Sequence, residues 1–182
     1  MQEQQNIEFK QSWHNNYLKW ICGFANAQGG TIFIGKDDDG NIVDVADYKN
    51  LMDEIPNKIR NTMGISVNVN LLEKEGKHFI EIVTQPYSVP ISLRGRYYYR
   101  SGSTKQELTG ISLNEFLMKK SGKTWDDVIE PRASINDIDA KSVAIYLRSS
   151  ENAGRLPEDK GLTLSELLEK LRLTESGKIK RA

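Results

Sequence analysis

Two groups of side chains in this sequence have types that could do chemistry. The first lies in residues 94–105, RGRYYYRSGSTK, which carry Arg94, Arg96, Arg100 and Lys105 and no acid. On an extended strand Arg94, Arg96, Tyr98 and Arg100 share one face, and Tyr97 and Tyr99 point the other way. Guanidinium groups interleaved with an aromatic ring suit phosphates together with unstacked bases. The Ser101-Gly102-Ser103 that follows offers hydroxyls and backbone N–H groups to a phosphate. The plainer alternative is a charged outer strand that resists edge-to-edge pairing, with the two tyrosines in the core.

The second group is acidic: Glu3 and Glu8 near the start, and Asp37, Asp38 and Asp39 after TIFIG. Clustered carboxylates suit Mg²⁺ or Mn²⁺, and such ions activate water against a phosphodiester. Spacing alone does not gather them. Glu3 and Glu8 fall on opposite faces of a flat strand and about 140° apart on a helix, so the chain would have to bend between them. A solvated terminus and an Asp-rich turn explain the same residues without chemistry. His14 and His78 are isolated, Cys22 reads as a small buried residue, and Gly29-Gly30 precedes a strand rather than a helix, which argues for a helix stop over a phosphate loop.

The elements that must position these groups follow from periodicity. Ile7 and Phe9 alternate with Glu8 and Lys10, as in a half-buried strand. Trp13, Tyr17, Trp20, Ile21 and Phe24 then fall at helical spacing, predicting one helix over 12–27 with Ser12 as its N-cap and Gly29-Gly30 as its stop. TIFIG (31–35) is a buried strand, so the opening reads as a βαβ crossover. DDDGN (37–41) is a turn. A second helix is expected from about Asp47, with Leu51, Ile55, Ile59 and Met63 on its apolar face and Pro56 kinking or restarting it. Two alternating segments, 67–71 and 79–83, form a hairpin around residues 73–76. A further strand is expected over 96–100. Ser112-Leu-Asn-Glu115 reads as a capping box, and Thr163-Leu-Ser-Glu166 as a second one. Helices are expected over 137–147 and 163–171, joined by the polar stretch SSENAGRLPEDKG.

Composition bounds the class. The 182 residues hold 25 basic and 25 acidic side chains, with 38% apolar and 27% charged residues. That excludes a disordered chain and leaves any basic patch to local clustering. No apolar run approaches the roughly 20 residues of a membrane span, the start lacks signal-peptide character, and a single cysteine forms no internal disulfide. A cytoplasmic protein without a membrane segment is the expectation.

Several separated motifs together resemble one family. Glu3-x4-Glu8-Phe9-Lys10, the run 23–35 (GFANAQGGTIFIG), the Asp-Asp-Asp-Gly turn, Pro90 and then Tyr97-Tyr98-Tyr99-Arg100-Ser101-Gly102-Ser103 are similar, in order, to the Schlafen-type AlbA domain, over roughly residues 3–120. The tail resembles the helical link that precedes an ATPase module in bacterial members, many of them described as transcriptional regulators. The end at GKIKRA accordingly reads as a boundary inside a longer protein. The resemblance implies an α+β fold, a mixed β-sheet packed with helices, over 1–122, and a short helical C-terminal segment over 123–182 leading to that ATPase. It further implies nucleic-acid binding, to DNA or RNA. In vertebrate relatives two domain copies form a groove, where three carboxylates support metal-dependent RNA cleavage. The first two carboxylates match Glu3 and Glu8; Asp38 is the best match to the third and Asp37 the next. This chain has one copy, so a groove implies a homodimer. Lys36 departs from the family by standing where an apolar residue is usual.

The expected function is therefore nucleic-acid binding through Lys10, Arg94, Arg96, Tyr98, Arg100, Ser101, Ser103 and Lys105, with no cofactor required. The alternatives are a Mg²⁺- or Mn²⁺-dependent endoribonuclease using Glu3, Glu8 and Asp38 as catalytic metal ligands, and a protein-docking or dimerisation module.

Overall fold

The structure, a computed structural model, describes residues 6–154 and 161–181. The chain divides into two compact units, residues 1–121 and 122–182. The fold is mixed α+β.

In the first unit, β1 (Ile7–Lys10), α1 (Leu18–Asn26) and β2 (Gly30–Ile34) form the expected crossover, with β1 and β2 parallel and Glu8 opposite Ile32. After α2 (Tyr48–Met63), β3 (Asn68–Lys74) and β4 (Lys77–Thr84) form the expected hairpin, and the sheet order is β1-β2-β4-β3. Ile32 and Ile34 of β2 face the same side as Ile82 and Ile80 of β4, and all four are fully buried with Ile21 and Phe24 of α1. Side chains of that size each favour folding by about 1.5–3 kcal/mol when removed from water. β5 (Tyr97–Ser101) and β6 (Thr104–Leu108) make a separate hairpin packed along α1, and α3 (Gly110–Lys120) follows.

Several expectations are corrected here. The first helix does not begin at Ser12: a 3-10 turn at Asn15–Tyr17 precedes α1, and the Ser12 hydroxyl lies 3.1 Å from His14 Nε2 instead of capping. Pro56 does not restart α2, which runs unbroken through it, with Ile55 and Ile59 completely buried on either side so that their packing outweighs the missing hydrogen bond. Ser112 opens no capping box; its hydroxyl donates back to the Thr109 carbonyl at 2.8 Å, and α3 has already begun at Gly110. The strand expected over 96–100 starts at Tyr97 and pairs with β6, a strand that no sequence pattern announces.

The run GFANAQGG explains itself in this packing. Asn26 is 2% exposed; its amide donates to the Ile91 and Tyr98 carbonyls, both at 2.8 Å, and its oxygen accepts from the Ile91 N–H at 2.8 Å. One side chain thus ties α1 to the loop before β5 and to β5 itself. A Cβ on Gly30 would sit 2.3 Å from the Phe24 ring, so only glycine fits there. The unusual Lys36 is explained as well: its ammonium lies over the rings of Phe33 (4.2 Å), Phe79 (4.8 Å) and Phe9 (5.4 Å). Desolvation holds its pKa below the usual lysine value.

The second unit holds α4 (Ala140–Asn152), α5 (Leu164–Lys170) and a small hairpin of β7 (Thr174–Glu175) and β8 (Lys178–Ile179). Thr163 and Glu166 form the expected capping box. α4 starts at Ala140, later than expected, because Asp139 caps it by accepting from the Lys141 and Ser142 N–H groups. Residues 155–160 of the polar stretch between the helices lie outside the described residues. No helix among the described residues is long and apolar enough to cross a membrane.

Two outcomes follow. Gly30→Ala should destabilise the first unit by about 1–3 kcal/mol, the usual cost of overpacking, read from the midpoint of urea unfolding. In the second unit, the backbone N–H of Thr124 and then Lys180 hold the Asp127 carboxyl at a pKa of about 2, and Arg132 does the same for Glu130. Both values are depressed by folding. Their stabilisation is therefore present above the ordinary carboxylate range and lost as pH falls from about 4.5 towards about 2. Amide exchange at Lys180 should accelerate across that window relative to its intrinsic rate, and less so in Asp127→Asn. Protection that holds to pH 2 would contradict this.

Candidate functional site

The basic strand is sorted by burial in a way alternation does not reveal. β5 places Tyr98 and Arg100 against α1, at 5% and 3% exposure. Tyr97 and Tyr99, expected in the core, are half-buried and pack against the Phe116 ring of α3. The face read as outward is the inward one. The physical reason lies 92 residues upstream: Arg100 donates to Glu8 Oε2 at 2.9 Å, while Glu8 Oε1 lies 2.6 Å from Lys10 Nζ. Glu8, 4% exposed, thus meets two cations, and a buried guanidinium so paired satisfies its charge. The Arg100 guanidinium also stacks over Trp20 at 4.5 Å and Phe24 at 4.9 Å.

Around this pair further cations gather, Lys10, Lys19 and Lys105 half-buried and Arg94 and Arg96 exposed. Lys105, directly opposite Arg100 in the hairpin, lies 5.1 Å over the Trp20 ring and has no ion-pair partner among the described residues. Lys10 approaches the same ring at 5.8 Å. Lys19, next along α1, sits 5.8 Å over the Tyr98 ring. Arg96 is exposed and shares Glu107, at 3.5 Å, with the Tyr98 hydroxyl, which donates to that carboxylate at 3.2 Å. Burial, and then Glu107, push the Tyr98 pKa up. Arg94 lies outside β5, in the turn before it, and is exposed.

Two clefts mark the ends of this face. One, about 370 Å³, lies where the start of α1 meets the loop before β5, lined by Asn15, Asn16, Lys19, Arg94, Arg96 and Tyr98, among others. The other, about 140 Å³, is lined by Asn6, Gln28, Gly29, Tyr99, Arg100 and Ser101 at the end of α1. The Ser101-Gly102-Ser103 segment forms the exposed hairpin tip, with Gly102 at φ +58°. Trp20, Lys19, Asn15, Asn16 and Glu107 were not singled out from sequence. Trp20, expected on the helix's apolar face, presents the ring on which Lys10, Arg100 and Lys105 converge.

Among the described residues, the candidate carboxylates are engaged elsewhere or stand exposed in a turn. Both oxygens of Glu8 face cations within 3 Å. Asp38 is exposed in the turn beyond β2, and Asp37 caps that turn by accepting from the Asn41 backbone N–H (2.7 Å) and side-chain amide (3.0 Å). The Asn41 amide holds the Asp37 pKa below its ordinary value. Glu3 lies outside the described residues. Among the described residues no group of three or more His, Cys, Asp or Glu side chains is placed to hold a metal ion.

Because Arg100 is internal, its truncation should act on folding. Arg100→Ala should cost about 3 kcal/mol, the low end of the penalty for breaking a buried ion pair, because Lys10 stays on Glu8. Replacing both Arg100 and Glu8 with methionine should cost less than the sum of the single changes, as read by a double-mutant cycle in urea. An additive cycle would show that the pair is not coupled.

Comparison with known proteins agrees with the fold. The crystal structure of the DIP2311 protein from Corynebacterium diphtheriae superposes with a TM-score of 0.52 at 17% identity, covering 97% of this chain and 34% of that one. This chain therefore spans about a third of that protein. The N-terminal domain of a RecG-related protein from Nitrosomonas europaea, solved by NMR, matches at 20% identity and a TM-score of 0.43, covering 60% of this chain and 87% of that one. No functionally curated protein matches the chain. The Schlafen, AlbA_2 family matches residues 3–109, the whole stretch from β1 through β6, and the chain belongs to that family.

Proposed function

We propose that the first unit binds nucleic acid through the face built by α1 and the β5–β6 hairpin. The observation that supports this most directly is the sorting of charge. In a chain whose 25 basic and 25 acidic residues cancel, Lys19, Arg94 and Lys105 converge there with no carboxylate partner among the described residues. Unpaired cations beside half-buried aromatic rings and an exposed Ser-Gly-Ser tip suit a phosphate backbone with unstacked bases. The fold itself does not fix a ligand, so the reading rests on the site.

In this reading Lys19, Lys105, Arg94 and Arg96 neutralise phosphates, and the hydroxyls of Ser101 and Ser103 donate to phosphate oxygens. Lys10 and Arg100 act from below by holding Trp20 in place, and Tyr98 shapes the surface beneath Lys19. One face supplies these contacts, so binding does not depend on a second copy; a two-copy groove belongs to the wider proposal and is checked by light scattering.

The test is a salt titration of binding to single-stranded RNA and DNA. Affinity should fall steeply with salt, and replacing Lys19 and Lys105 together with alanine should shallow the slope of log K against log salt by about 1.4–1.8, at 0.7–0.9 per phosphate contact. An unchanged slope in the folded double variant would overturn the assignment of these lysines.

A further inference from the structure

The larger cleft carries a feature the electrostatic reading does not need. Leu93 and Arg96 pair across a two-residue turn, with the Leu93 N–H on the Arg96 carbonyl at 2.8 Å and the Arg96 N–H on the Leu93 carbonyl at 3.1 Å. Its central residues, Arg94 and Gly95, have φ of +53° and +80°. Such a turn favours Asn-Gly or Gly-Gly, and an arginine in the left-handed region is strained. The strain places a long cation at the mouth of the cleft, beside Lys19 and Arg96. Below this rim the lining turns apolar, through Leu18, Leu93 and the Tyr98 ring. The lining also carries two amides, Asn15 and Asn16. Asn15 accepts from Lys58 Nζ at 2.7 Å and keeps its NH₂ available, and the Asn16 side chain makes no hydrogen bond among the described residues.

Resting on the nucleic-acid reading, we infer that this cleft is a pocket for one unstacked nucleotide of a single strand. Its volume of about 370 Å³ lies at the small end of ligand pockets, enough for a base with its sugar and far too narrow for a duplex. The base enters between the leucines and the Tyr98 ring, the Asn16 amide meets its polar edge, and Arg94 and Lys19 clamp its phosphate. The pocket makes the surface selective for single strands, which uniform phosphate neutralisation would not.

The experiment pairs two variants with two probes on the full chain. Arg94→Asn suits the left-handed turn, so its melting temperature should equal or exceed that of the parent protein. Its affinity for a labelled single-stranded 12-mer should fall on the order of tenfold, the loss of one charge-assisted contact, with a markedly smaller fall for the same sequence as a duplex. Asn16→Ala should likewise weaken single-strand binding selectively. Nucleoside 5′-monophosphates at millimolar concentration should shift the amide signals of Asn16, Lys19 and Tyr98, and inorganic phosphate should shift Lys19 without Asn16. Equal losses on single strand and duplex, or nucleotide shifts confined to the β5–β6 tip, would overturn the pocket and leave the binding face standing. A chain that binds no nucleic acid of either kind would overturn both.

Discussion

The buried pair of Arg100 and Glu8 is the constraint on which the first unit depends. A guanidinium and a carboxylate at 3% and 4% exposure are stable only together, and they come from strands at opposite ends of the domain sequence. Meeting at 2.9 Å, they fix where the β5–β6 hairpin lies along α1 and against β1. Trp20 and Phe24 cover the guanidinium, and Lys10 balances the second carboxylate oxygen. Lys105, directly opposite Arg100 in the hairpin, shares its face and reaches the same Trp20 ring. The same interaction that closes the core therefore sorts the basic residues into one that holds the fold and several that stay half-buried or exposed.

How much of this was legible depended on range. Local period located β1, α1, β2, α2 and the β3–β4 hairpin, because those patterns repeat within a few residues. The two faces of β5 were also visible as an alternation, but which face lay inside was not. Tyrosines are more often buried than arginines, and the partner that reverses the rule stands 92 positions away. β6, TKQEL, carries no apolar alternation and is a strand only because β5 pairs with it. Pro56 does not restart the helix for a related reason: the tertiary burial of Ile55 and Ile59 overrides a local cost of about 3 kcal/mol. The acidic candidates were legible as residue types alone. The described residues assign Glu8 to the ion pair and Asp37 to a turn.

The family's glycine-rich run acquires a physical meaning in this setting. Gly30 makes room for the Phe24 ring, and Asn26 hydrogen-bonds the backbone on both sides of the basic turn. These contacts belong to the scaffold. They hold Ile91 and Tyr98 on either side of the strained Arg94 turn, and a rigid support under an exposed cation reduces the entropy lost on binding. Scaffold and ligand contacts are thus carried by different residues of one short segment.

The division between an internal Arg100 and an outward-facing Arg94 can be observed directly by ¹⁵N NMR of the guanidinium groups, with and without a single-stranded oligonucleotide. The account predicts that Arg100 gives slowly exchanging, rotationally restricted signals that stay in place when the oligonucleotide is added, while the Arg94 signals exchange rapidly in the free protein and move on binding. Arg100 signals that exchange at the solvent rate, or that shift with ligand while those of Arg94 do not, would contradict it.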